Sequence, residues 1–319
     1  MNFGKIFDYT LIYSTIRYST PILFAALAAT ITQQADILNI GTEGIMLISA
    51  FVSVCVSYYS GSWFLAILAA MVIVVLMAMI MAVANLKCKA DICAIGMAIN
   101  MFALAVTKFG IKQFLGTTGT FTDPKIVGVP KIHIPAFDNI PFLNKTFNNW
   151  SFMEVFGIVL VFILYHILYR TVWGLRLRSV GRFPMAAETA GINVTKMKYE
   201  VMIISGIIGG LAGAHLSLGY TQMFTENMTN GRGFMGVAAM YFGGMNPVVA
   251  WIGCLLFGFT DTVGNRLQGY GWPSQFVLML PYIITILVVS ISLWRHTVSE
   301  KKLKSSVIPA KKVKKGGMV

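Results

Sequence analysis

Acid–base, nucleophilic or metal chemistry in this chain would have to come from 12 carboxylates, 4 histidines and 4 cysteines spread over 319 residues. Three of the histidines, His133, His166 and His215, are far apart in sequence. No His-Glu-x-x-His, Gly-x-Ser-x-Gly or acidic metal cluster accompanies them. Catalytic residues and a metal site are therefore not expected. His166 and His215 fall in apolar runs and read as neutral, hydrogen-bonded groups. The cysteines are Cys55, Cys88, Cys93 and Cys254, and the spacing of the one close pair suits neither zinc nor a thioredoxin-like site. They read as free thiols. No Gly-x-x-x-x-Gly-Lys-Ser/Thr loop occurs, so the chain carries no P-loop motor of its own.

The polar residues with the most suggestive spacing lie between Asp36 and Met46. Asn39, Thr42 and Glu43 stand beside Gly41 and Gly44, at the start of an apolar run. Paired glycines allow a bent or broken backbone whose freed peptide groups can line a cavity. A carboxylate near lipid faces a bundle interior or water. This segment is either a pathway or pivot element, or an interfacial helix start in which Glu43 answers the dipole of its own helix. Farther along, Asp261 and Arg266 flank a polar helix end, where they either pair or reach the interface separately.

The elements that hold these residues follow from composition. Hydrophobic residues make up 56% of the chain, charged residues 12%, and the mean hydropathy is +0.73. A soluble domain carries about 25% charged residues, so the solvent around most of this chain is lipid. The expected fold is all-α, a polytopic transmembrane helical bundle of about nine spans, within a range of about eight to ten. The runs are Thr10–Ile31, Ile37–Tyr58, Trp63–Ala84, Ile92–Ile111, Phe152–Tyr169, Val201–Tyr220, Phe234–Gly244, Val248–Val263 and Phe276–Trp294. The first reads as a retained span, not a cleaved signal. Residues 1–298 are read as one transmembrane domain, and 299–319 as a basic, disordered cytoplasmic tail.

The net charge is +13. It gathers in short stretches between apolar runs, which the positive-inside rule explains without nucleic acid. Both Trp173–Lys198 and the tail after Trp294 should be cytoplasmic. An even number of spans separates them, and the N-terminus then lies outside. The loop from Lys112 to Trp150, with Pro124, Pro130, Pro135 and Pro141, faces outward as a connector or as a docking surface for an extracellular partner.

Two glycine patterns, Gly206 with Gly210 and Gly209 with Gly213, suit close helix packing within or between subunits. The segment from Gly231 through Gly243, Gly244, Asn246 and Pro247 is too short between its breakers for a full crossing and reads as a broken or half-helix. Gly174–Asn193 is too polar to span. Pro184 suits a helix start, Ala186, Ala187 and Ala190 a smooth helical face, and Gly191 a stop. A short cytoplasmic helix of this kind fits a partner's cleft.

That last segment resembles the coupling loop of permeases in the branched-chain amino acid, ribose and nucleoside group of ATP-binding-cassette (ABC) importers. It shares their Gly-x-Arg-x-Arg-x-x-Gly, Pro-x-Ala-Ala and Ala-Gly-Ile-Asn runs, with Phe183 where Asn is usual. Asn39-Ile-Gly-Thr-Glu-Gly-Ile-Met-Leu, and Gly231-Arg-Gly-Phe-Met-Gly-Val-Ala followed by Gly243-Gly-Met-Asn-Pro, are similar to the nucleoside and simple-sugar branch. The resemblance implies a coupling loop at Arg182, Pro184, Ala186, Ala187, Glu188 and Gly191 that meets an ABC ATPase. It also implies a second, related permease, an extracellular substrate-binding (lipo)protein and a nucleoside substrate, all serving a cell-membrane importer. No cofactor would bind this chain; ATP would be used by the partner ATPase. Alternatives are a permease for simple sugars or branched-chain amino acids, or an ion-coupled secondary transporter with Glu43 or Asp261 as its coupling carboxylate.

Overall fold

The computed structural model describes residues 10–133 and 148–269, together with Met279, Ile283, Ile286 and Ser290 of a later helix. The tail 299–319 and most of the run Phe276–Trp294 lie outside the described residues. The chain is mostly helical. The helices are α1 (Thr10–Gln33), α2 (Thr42–Ser60), α3 (Trp63–Leu86), α4 (Ile92–Leu115), α5 (Phe152–Arg170), α6 (Val172–Arg182), α7 (Pro184–Thr189), α8 (Val194–Ala214), α9 (Arg232–Phe242) and α10 (Pro247–Gln268). A π-helical turn, His215–Thr221, extends α8.

Against an expectation of about nine spans, 6 helices among the described residues are long and apolar enough to cross a membrane: α2, α3, α4, α5, α8 with its π turn, and α10. Of the other apolar runs, α1 has the length, 24 residues, but Arg17 and a series of hydroxyl residues occupy its first half. The run Phe234–Gly244 folds as α9, whose 11 residues reach only about 16 Å.

Helix ends follow local chemistry. Asp91, Asn193 and Asn246 accept hydrogen bonds from the backbone N–H groups of Ala94, Lys196 and Val248 at the starts of α4, α8 and α10. α2 and α4 stop at Gly61 and Gly116, both left-handed (φ +64° and +67°).

α1 is the axis of the bundle. Every residue from Ser19 to Thr32 is buried, beneath α8, α9 and α10. α8 packs in turn on α2 and α3. Outer faces of α3, α4 and α5 expose large apolar side chains such as Leu68, Ile80, Met101, Phe109 and Phe162, which suits a lipid environment.

The two ends of the bundle differ. At one end, that of the loop after α4, two small antiparallel pairings depart from an all-α fold: Thr120–Phe121 with Phe224–Thr225, and Lys131–Ile132 with Trp150–Ser151. They give the loop after α4 backbone partners, and the Ser57 hydroxyl and the Val127 backbone exchange hydrogen bonds of 2.9 Å there. At the opposite end, α6 closes against the α1–α2 link and the α9–α10 turn, while α7 packs on α6 and α8. A Cβ at Gly181 would collide with the Gln34 carbonyl, and Gln34 Nε2 donates to the Met245 carbonyl at 3.0 Å.

Candidate functional site

The chain breaks between α1 and α2, and the break is internal. Asp36 has φ +58°, and the backbone then climbs from the α6–α7 end into the bundle. Asn39 and Thr42 are each 1% exposed. Thr42 Oγ1 donates to the Asn39 carbonyl at 2.8 Å, and Asn39 Nδ2 donates to Ser205 Oγ on α8 at 3.1 Å. Asn100 on α4 brackets the break. Its Nδ2 donates to the Ile40 carbonyl at 3.1 Å, and its Oδ1 accepts from the Gly44 N–H at 2.8 Å. Sequence reasoning missed Asn100, whose only signal is an amide in the middle of an apolar run. It stands about 12 Å inside α4, so the start of α2 is buried within the bundle.

Glu43 closes this arrangement. Its carboxylate accepts the Gly231 N–H at 2.8 Å and the Gly233 N–H at 2.6 Å. These are free amides at the start of α9, where the helix also presents its positive dipole end. Glu43 therefore answers the dipole of α9 as well as that of its own helix. A Cβ on Gly233 would stand 2.7 Å from Glu43 Cα, so only glycine permits this approach. Glu43 is 8% exposed, and both oxygens are engaged.

α9 is the half-helix expected from the glycine pattern. After it, Gly243 packs on Ala250, Gly244 and Met245 take left-handed conformations (φ +57° and +61°), and Asn246 and Pro247 open α10. Asp261 on α10 faces Arg232 at 3.9 Å. Arg266 donates to Thr10 Oγ1 at 2.7 Å.

The packing glycines work within this chain. Gly206 and Gly210 face Ala78 and Val74 of α3, while Gly209 and Gly213 face Ile45 and Met46 of α2. The histidines are scattered. His215 is fully buried in the π turn, and His166 lies on the exposed apolar face of α5. Among the described residues no cluster of His, Cys, Asp and Glu is fit to hold a metal.

In the polar connection after α5, Pro184 opens α7 at its first turn and Gly191 (φ +81°) follows its end. Of the three alanines expected to form a smooth face, Ala186 and Ala190 are exposed and Ala187 is not. Ala187 is 3% exposed and packs inward, while Met185 is 82% and Phe183 70% exposed. Arg182, Ala186 and Glu188 are exposed too. The exposed side of α7 thus carries Phe183 and Met185 beside Ala186, flanked by the charges of Arg182 and Glu188.

Residues 11–289 match the family described as the permease component of branched-chain amino acid transport systems. The chain belongs to this permease family. The guanosine ABC transporter permease protein NupQ of Bacillus subtilis is 38% identical over 289 residues, covering 87% of this chain and 90% of that protein. The nucleoside ABC transporter permease protein NupC of Lactococcus lactis is 35% identical, covering 86% and 90%. A solved chain described as a metal-chelate type ABC transporter in an inward-facing conformation superposes with a TM-score of 0.52 at 13% identity, over 88% of this chain and 84% of that one. The last likeness is one of fold. The permease is thus the membrane component of an ABC transporter, as the resemblance in its motifs implied.

Proposed function

We propose that this permease is one half of a two-permease, ATP-driven importer of nucleosides in the cell membrane. α7 docks on an ABC ATPase at the cytoplasmic face, a second and related permease completes the path, and an extracellular binding (lipo)protein delivers solute at the outer end. One observation carries the coupling assignment: a six-residue helix, opened by Pro184, that leaves Phe183 and Met185 uncovered. Exposed apolar side chains on a polar connection mark a protein contact. The nucleoside is supported by the names of the relatives NupQ and NupC. The basic α6–α7 end is read as cytoplasmic and the N-terminus as external by the positive-inside rule. Nine spans result when α1, α9 with the segment before it as one broken crossing, and the run Phe276–Trp294 join the 6 helices above.

Within this reading, the break at Asn39–Gly44 is a pivot held by Glu43 and Asn100. The test is uptake of radiolabelled nucleosides by cells expressing the permease with its transporter partners, against cells lacking it. Uptake that depends on this chain and on ATP is expected. Uptake of sugars or branched-chain amino acids alone would overturn the substrate.

A further inference from the structure

Arg232 and Asp261 form an unusual pair for a membrane protein. Asp261 lies about 20 Å from the α9–α10 turn and about 10 Å from the outer end of α10, well within a hydrocarbon thickness of about 30 Å. Yet the side chains of Arg232 and Asp261 retain 18% and 13% of their exposure. Their 3.9 Å separation exceeds the roughly 2.7–2.9 Å of a charge-assisted hydrogen bond. Arg232 is fixed by donating Nη1 to the Met228 carbonyl at 3.0 Å, while its Nε has no hydrogen-bond partner. The carboxylate and the guanidinium are therefore close enough to neutralise each other but too far apart to satisfy each other.

The surrounding face is polar as well. Asp261, Asn265 and Gln268 fall within about 60° of arc on α10. Asn265 is exposed and Gln268 half-buried. The exposed apolar residues Val249, Ile252 and Phe259 lie on the opposite side of the same helix. A helix in lipid turns its apolar side outward, and ionisable groups at depth face a bundle interior or a water-filled path. α9 begins at the level of this pair, with Arg232 as its first residue.

We infer that Arg232 and Asp261 line the solute path and that the pair hydrogen-bonds the transported nucleoside, Asp261 accepting from its N–H or O–H groups and Arg232 donating to its carbonyl or ring nitrogen. The path assignment stands on the geometry of this chain; the nucleoside rests on the function proposed above. A neutral solute rich in both donors and acceptors suits a pair with no net charge.

The test uses the permease expressed with its transporter partners, with Cys55, Cys88, Cys93 and Cys254 replaced by Ser in a form that retains uptake. Single cysteines enter as Asp261→Cys, Asn265→Cys, Ile252→Cys and Phe259→Cys, and are exposed to a charged, water-soluble methanethiosulfonate. Thiols reached by water react as thiolates, so the first two should be modified on the order of tenfold faster than the last two. Excess nucleoside should slow modification of Asp261→Cys. Asn265→Cys keeps the path assignment testable should Asp261→Cys fail to fold. Equally slow modification at all positions overturns the path. Modification that nucleoside does not slow, in cells that import nucleoside, overturns the contact. Cells with unaltered permease that import no nucleoside defeat the proposed substrate and this contact together, while the modification rates still decide whether the face is wet. As a second readout, Asp261→Asn should raise the nucleoside KM by more than tenfold with protein level unchanged; an unchanged KM counts against the contact.

Discussion

Glu43 receives two backbone N–H groups, so Glu43→Gln tests that clamp without altering its shape. The amide can accept from only one of the Gly231 and Gly233 N–H groups and turns its own N–H toward the other. A loss of about 2–3 kcal/mol is expected, read as a lower Tm of the detergent-purified permease; an unshifted Tm would mean the carboxylate is not holding α9. Glycines give a ranking of the same kind. A Cβ at Gly213 would run into the Met46 carbonyl, whereas Gly61, at φ +64°, has nothing within 4 Å. Gly213→Ala should therefore remove most of the folded permease from membranes. Gly61→Ala should cost about 1 kcal/mol of backbone strain. Size-exclusion profiles of a fluorescent fusion separate the two. The position of Glu43 among glycines was legible in the sequence, but its partners were not. They lie 188 and 190 residues away, and they are backbone amides, which every residue but proline owns and no side chain advertises.

The proposed coupling loop shows what a short element conceals. Pro184 and Gly191 bound α7 correctly because each has a backbone requirement readable from its type. Which side faces the bundle was not readable, since six residues make less than two turns and show no periodicity. Two substitutions separate the faces. Ala187→Arg places a charge where the residue is 3% exposed and should deplete folded protein. Met185→Arg alters a side chain that is 82% exposed and should leave the permease folded but weaken its hold on the ATPase. Co-purification of the ATPase and ATP hydrolysis stimulated by substrate report that difference. Normal transport by Met185→Arg would remove α7 from the coupling assignment. α9 is the other half-legible element: its glycines announced a break, but not that a carboxylate from α2 would close it.

For the whole molecule, the membrane was the easiest reading, because 12% charge cannot dress a soluble surface. The span count was harder for a physical reason. Apolar length marks helices that meet lipid, whereas α1 lies at the axis, meets protein on all sides from Ser19 to Thr32, and so tolerates a polar first half. Energy source is a property of the assembly. With proton and sodium gradients collapsed and ATP maintained, nucleoside uptake should persist, and its loss would speak for ion coupling. The contacts at Gln34 bear on how such an assembly moves. Its backbone carbonyl sits where any side chain on residue 181 would stand, and its amide holds the Met245 carbonyl. α6, the residue after α1 and the α9–α10 turn thus meet at Gln34. In the coupling proposed above, a stroke delivered at α7 would reach α6 first, and this contact would pass it to the α1–α2 break and, through the clamp of Glu43 on α9, to α2.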